Sequence, residues 1–320
     1  MATHQFYVVR SILNKTVFDE NVIQTILTEY WKDLKNKRKV LVDWIKPEQL
    51  TWHNLSANPN AMELLKERVE YEDSLTIDEY ENLNDKIDWY CFSYICDDMY
   101  ILEKHQDKLD SGSLGLNLNA IEYIKKYIHK TDWYELSTNE NAIHLFKNNL
   151  DKVNWSMLCI NPNAIDLIKE NKDKIDWNNL SGNPNAMDLL KQNKGKINWV
   201  GLSYNPNAID LLEQYQSNID WKFISLNLNA IDLIKKRIKY EKKFTPYVYN
   251  NLKNKIDWSF LSTNQNAIEI LTNNPDKIDW KELSTNPNAI DLLKNNKDKI
   301  DWKLLCENPS IFEDEPMPNI

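Results

Sequence analysis

The chain has 320 residues, 42% hydrophobic and 27% charged, with a formal net charge of -9, 5 Gly and 4 Cys. That length can bury a large core, and the composition excludes collagen-like, mucin-like and wholly disordered chains. No apolar run approaches the ~18 residues of a membrane span, and the N-terminus lacks the basic-then-apolar order of a signal peptide. The cysteines are too few for a disulfide scaffold, which favours a reducing compartment such as the cytoplasm. The acidic balance disfavours general binding to nucleic acid or anionic membranes, and 42 asparagines announce many caps and turns.

Residues 1–50 stand outside any period. The stretch from Val17 to Val42 predicts one or two helices through Val22, Ile23, Ile26, Leu27, Tyr30, Trp31 and Leu34. We read it as an N-terminal helical cap, since terminal units of a repeat array need a polar-faced cover; an adaptor helix is the alternative. From residue 51 the tryptophans set the architecture. Trp133, Trp155, Trp177, Trp199 and Trp221 are spaced by 22, as are Trp258, Trp280 and Trp302. Trp89 lies two periods before Trp133, with Ser111 in the slot between, and Trp52–Trp89 and Trp221–Trp258 are each one period plus 15. Eleven units therefore begin at 52, 89, 111, 133, 155, 177, 199, 221, 258, 280 and 302.

Each unit carries two helix starts. Asp or Asn before the Trp is an N-cap (Asp132, Asn154, Asp176, Asn198, Asp279). Asn-Pro, as at Asn161-Pro162 and Asn183-Pro184, caps a second helix and places Pro where no hydrogen bond is lost. That helix, of roughly ten residues by its apolar spacing through Ile290, Leu292 and Leu293, is marginal alone. Stacking on neighbours stabilises it, so the expected fold is all-α, an α-solenoid over 51–312 that spans on the order of 100 Å. Two units extended to 37 residues carry a duplicated insert at an offset of 169, in which Arg68 matches Arg237, Glu72 matches Glu241 and Tyr80 matches Tyr249. A short extra helix is predicted from Thr76 and from Thr245. Ile311 and Phe312 read as a plug over the last unit, and 313–320 as a frayed acidic C-terminal tail.

The rows that the period generates are the candidate sites. The Trp row reads as core, with a base-stacking ladder as the alternative. The row containing Lys152, Lys174, Lys196, Lys277 and Lys299 is a candidate basic row for phosphates, against a solvated turn in which acids such as Asp173 and Asp276 cancel the field. An acidic row (Asp166, Asp188, Asp210, Asp291) reads as solvated helix face. In Asn-x-Asn the first Asn caps, and the second is expected to reach the neighbouring unit as a buried ladder. Cys159 and Cys306 replace the Ser of other units. The unit at 89 lacks Asn-Pro-Asn and the next lacks Trp, so residues 89–131 are expected to be the weak point. There Tyr90, Phe92, Tyr94, Met99 and Tyr100 are the candidate partner-binding residues, because aromatics dominate interface hot spots. No Walker loop, dinucleotide fingerprint, nucleophile elbow or zinc-ligand spacing occurs, so no catalytic residue, metal or cofactor is expected.

The phrase Ile-Asp-Trp-x-x-Leu-Ser-x-Asn-Pro-Asn-Ala-Ile-Asp-Leu-Leu-Lys at 278–294, with Lys-x-Arg-x-x-Tyr-Glu at 66–72 and 235–241 and Asn-Pro-Ser-Ile-Phe at 308–312, resembles the 22-residue repeat proteins of giant amoeba-infecting DNA viruses. The resemblance covers about residues 51–312. It implies a viral origin, a repeat scaffold and a place in the host cytoplasm or virion, and it brings no catalytic residues. The function expected is a non-enzymatic scaffold for protein–protein interaction, with a protein partner, no membrane and no small-molecule substrate. The alternatives are a single-stranded RNA binder, which the net charge disfavours, and a virion structural component.

Overall fold

The computed structural model describes residues 8–10, 13, 20–33 and 38–316. Much of the N-terminal cap expected over 1–50, and residues 317–320 of the tail, lie outside them. The fold is all-α, and the described residues hold one sheet, a single pair of three-residue strands. No described helix is long and apolar enough to cross a membrane.

The unit at 177 shows how local sequence builds the repeat. Asp176 accepts from the backbone N–H of Asn178 and Asn179 at 3.0 and 3.3 Å and starts the Trp helix, Trp177–Gly182. Asn183 ends it and caps the next turn, accepting from Asn185 N–H at 2.9 Å. A 3-10 turn over Pro184–Ala186 leads into the second helix, Met187–Gln192, and another over Lys194–Lys196 closes the unit. The ten-residue helix expected from the apolar spacing is thus interrupted: Ala186 sits at φ -89°, ψ 3°, outside helical geometry, because Asn183 and Pro184 nucleate a tighter turn first. Leu180, Ala186 and Leu190 are fully enclosed.

Two hydrogen-bond ladders join the units. Asn183, itself fully buried, donates through Nδ2 to Cys159 O and Asn161 O of the preceding unit, both at 2.9 Å. Asn185 donates to Pro162 O at 2.9 Å. The second Asn does reach its neighbour, as expected, but the buried member of the pair is the first, which caps and bridges at once. Ser181 Oγ donates to Trp177 O and accepts from Asn198 N–H of the following unit, at 2.7 and 2.9 Å. Cys159 takes the same place, its Sγ accepting from Asp176 N–H at 3.4 Å. These bonds satisfy backbone groups that short helices leave unpaired. The junction between the units at 89 and 111 keeps the buried Asn and the Ser bond, with Asn117 donating to Ser93 O and Cys96 O at 2.9 and 2.8 Å and Ser93 Oγ accepting from Asp110 N–H at 3.1 Å. The buried Asn is missing only at the preceding junction, where Ile95 takes its slot, and Asp97 and Ser310 replace the second Asn in the units at 89 and 302.

The array has no free ends. Asn58 of the first unit donates to Cys306 O and Asn308 O of the last at 2.7 and 2.9 Å, and Asn60 donates to Pro309 O at 2.8 Å, the same pattern that joins any two neighbours. Strand β1 (Lys39–Leu41) pairs antiparallel with β2 (Phe312–Asp314), Val40 opposite Glu313. Trp44 packs on Trp302 with centroids 6.5 Å apart. The fold is the expected α-solenoid of eleven units, and its ends meet, so that the array closes into a ring instead of extending as an open superhelix. Glu313 and Asp314 are therefore strand residues and not a frayed tail, while Ile311 and Phe312 are buried as expected. Helix α1 (Glu20–Asp33) buries Ile23 and Leu27 apart from the continuous core.

Candidate interaction surface

Trp helices pack closely on their neighbours from the unit at 89 to that at 133 and from 177 to 280, whereas most second helices barely touch. A Cβ on Gly115 would lie 2.9 Å from Leu136 N of the next Trp helix, and long side chains such as Lys126 to Glu103 (2.6 Å) and Lys235 to Glu269 (2.8 Å) span the gaps between second helices. Closure therefore puts the Trp helices on the inner circumference and the second helices on the outer. Cys91 is raised to about 11 by burial, by Asp88 and in part by Glu307. Glu307 belongs to a unit two steps back around the ring, which fits a tightly curved inner surface.

The two circumferences differ in chemistry. The residues one, five and seven places after the Trp slot face away from the second helices. Tyr90, Tyr94, Leu118, Tyr134, Ile160, Val200, Tyr204 and Leu228 occupy those places and are exposed. From Tyr90 to Leu228 these slots hold only Glu140 and Lys222 as charges. Tyr204 continues into a row of rings, 6.4 Å from Phe223, which is 5.8 Å from Phe260. A Cβ on Gly182 would collide with the Tyr204 ring, so Gly is needed there for this aromatic to lie flat on the neighbouring unit. The second helices instead expose acids, among them Asp166, Asp188 and Asp291.

The candidate partner residues divide accordingly. Tyr90 (65% exposed) and Tyr94 share the inner row, whereas Met99 and Tyr100 (70%) start a second helix on the other circumference. Phe92 is fully buried. It fills the slot that Leu180 holds elsewhere, so it is a core residue and cannot meet a partner.

The repeat tryptophans are half-buried rather than enclosed, packed on the core by one face. The Lys row covers the other. Lys152, Lys174, Lys196 and Lys299 lie 5.5, 4.3, 4.7 and 4.5 Å from the ring centroids of Trp133, Trp155, Trp177 and Trp280, contacts worth about 0.5–1 kcal/mol each at exposed sites. Arg68 and Arg237 of the inserts do the same for Trp52 and Trp221 at 5.1 and 4.7 Å. Where Ser111 replaces Trp, Lys130 covers Tyr127 instead at 5.7 Å. Sequence reasoning missed this pairing, although the signal was present: each Lys falls nineteen residues after the Trp of its own unit, where the chain has come back around.

The four cysteines are free, and burial raises every thiol, Cys91 and Cys96 to about 11. Neutral thiols are poor nucleophiles and metal ligands. Among the described residues no group of three His, Cys, Asp or Glu side chains could hold a metal ion.

Comparison with family models, with curated proteins and with solved structures returns no match to this chain.

The ring thus offers three distinct surfaces: an inner row nearly uncharged from Tyr90 to Leu228, an outer row of solvated acids and lysines, and indoles most of which a cation covers.

Proposed function

We propose that this chain is a non-enzymatic scaffold ring, viral in origin as its repeat resemblance implies, which binds another protein across the inner row. The observation that supports this reading is the asymmetry of the two circumferences. From Tyr90 to Leu228 the inner slots hold eight exposed aromatic or aliphatic side chains and only two charges, whereas those exposed elsewhere, such as Tyr71, Tyr100 and Tyr240, stand among charged neighbours. Interfaces draw on Tyr and other aromatics while excluding charge from their centre. Helices packed ~8–10 Å apart around eleven units put their axes about 15 Å from the centre, leaving an opening on the order of 10 Å in radius. That admits a polypeptide segment rather than a folded domain. Single-stranded RNA fits less well, because four lysines of the candidate basic row already sit on indoles.

A photo-crosslinking amino acid placed at Tyr94 or Tyr204, with Asp166 on the outer circumference as control, tests the reading in infected-cell extract. Protein adducts at the inner positions and not at Asp166 are expected. Equal adducts at both, or salt-sensitive capture of homopolymeric RNA in their place, would overturn it.

A further inference from the structure

All the repeat tryptophans but one carry a cover over the indole. A lysine or arginine covers most of them; Tyr215 packs on Trp199 at 5.4 Å, and Trp44 on Trp302. Trp258 is the exception among the described residues. Lys277, in the covering slot, pairs with Asp276 at 3.4 Å instead. In front of this indole lies a cavity of about 300 Å³, walled by Trp258, Phe244, Pro246 and Tyr249, with Lys242, Asn274 and Lys277 around it.

The duplicated insert shows what such a space can hold. At the offset of 169, Trp89 corresponds to Trp258, Tyr80 to Tyr249, Lys108 to Lys277, His105 to Asn274 and Asp73 to Lys242. In the first insert the buried imidazole of His105 packs on Trp89 with centroids 4.8 Å apart, and Lys108 lies 5.0 Å from the same indole. In the second insert Asn274 has no ring to offer. Its amide donates to Ile270 O at 2.7 Å and accepts from Lys242 at 2.9 Å, which holds it to the wall. The charge beside the space is reversed as well, from the carboxylate of Asp73 to the ammonium of Lys242. Glu241 does not restore a negative field, because its Oε1 accepts from Arg237 at 2.7 Å and from Ile256 N–H at 3.1 Å.

We propose that this cavity binds a small planar aromatic anion. Its ring, of one or two fused cycles, packs on Trp258 as the tilted His105 imidazole packs on Trp89, at 40° between the planes, and its carboxylate or phosphate faces Lys242 and Lys277. The volume is at the lower end of the range for small-molecule sites. Offset and edge-on aromatic packing supplies the geometry. Two ammonium groups at the cavity, Lys242 without a carboxylate of its own among the described residues and Lys277 beside Asp276, favour an anion over a cation, although a cage of Trp, Tyr and Phe would otherwise suit a cation.

The probe is indole-3-carboxylate titrated into the full chain, with tryptamine as the cationic comparator. Binding is read by calorimetry and by the tryptophan indole N–H resonances, that of Trp258 being assigned with Trp258→Phe. A saturable shift of the Trp258 resonance is expected, with Kd on the order of 0.1–1 mM for a ligand of this size. Tryptamine should bind at least tenfold more weakly. Asn274→His rebuilds the filling of the first insert and should abolish the shift while the far-ultraviolet spectrum and Tm are kept. His105→Asn should create a second responsive resonance at Trp89. The proposal is overturned by undiminished binding in folded Asn274→His, by saturable shifts only at other tryptophans, or by no shift at Trp258 up to about 10 mM.

Discussion

The inserts at 66–88 and 235–257 are two solutions to one problem. Both lengthen the second helix, to Met62–Ser74 and Ile231–Glu241, and both add a short helix, Ile77–Glu81 and Pro246–Asn251. Both also bury an Arg–Glu pair, Arg68 with Glu72 at 2.9 Å and Arg237 with Glu241 at 2.7 Å. Each glutamate accepts from the backbone at the start of the next unit, Ile87 N–H and Ile256 N–H, and each guanidinium donates to the carbonyl of Asp85 or Asn254. This frame replaces the connection that a 22-residue unit makes with its 3-10 turn. What differs is the filling. Beside the first insert His105 and Lys108 of the following unit close the space with Asp73, but Glu72 Oε2, Trp89 Nε1 and His105 Nε2 are buried without hydrogen-bond partners. His105 Nε2 is only 3.1 Å from Asp73, yet off the line of a hydrogen bond. In the second insert no such atom is stranded and the space stays open. A full cavity here costs polar satisfaction, and a satisfied one leaves a hole.

The largest expected effect tests the shared frame. Glu72→Ala and Glu241→Ala should each destabilise the chain by about 3–5 kcal/mol in denaturant unfolding, because each leaves a buried guanidinium without its partner. A large loss in one insert and none in the other would break the equivalence.

The next effect separates the two fillings. His105→Asn should cost about 1–2 kcal/mol at pH 7 through lost packing and lost ring contact. It should also flatten the acid side of the stability profile. Burial is the main cause that lowers the His105 pKa below its ordinary 6.5, with Lys108 and Lys104 acting in the same direction and Asp73 opposing. The unfolded chain therefore binds this proton more readily, so the stabilisation is present above about pH 6.5 and is lost as pH falls below it. Urea titrations at pH 7 and pH 5 should show a smaller acid loss for His105→Asn than for the native chain. Equal losses would remove His105 as the source.

The smallest effect concerns the indole covers. Lys196→Met should cost about 0.5–1 kcal/mol as its cation leaves the face of Trp177. Lys277→Met should cost nothing measurable, because Lys277 covers no indole. Equal costs would mean that Trp258 is not the exception.

Much of each unit is legible in the linear chain. Asp176, Asn183 and Pro184 announce helix starts because their hydrogen bonds close within three residues, and the exchange of Cys159 for Ser181 reads as one small slot. The alignment of the inserts foretold their common frame. The division of the aromatic cluster was less legible: Tyr90 and Phe92 look alike in composition, and only their distance from the Trp slot separates an exposed residue from a core one. The covering of Trp177 by Lys196 joins residues nineteen apart, and no local propensity reports it.

Short-range chemistry along the chain fixes the unit: its period, its caps, its buried Leu and Ala, and the neighbour contacts that most units repeat. The tertiary structure alone decided that the array closes, that the Trp helices lie inside, and that Trp258 stands open. The physical reason is that curvature is the sum of a small difference in spacing between two helix layers, taken over eleven junctions. Each junction satisfies the same Asn and Ser bonds whether the sum closes or not. Closure rests on whether Asn58 meets Cys306 and Val40 meets Glu313, pairs that lie at opposite ends of the chain.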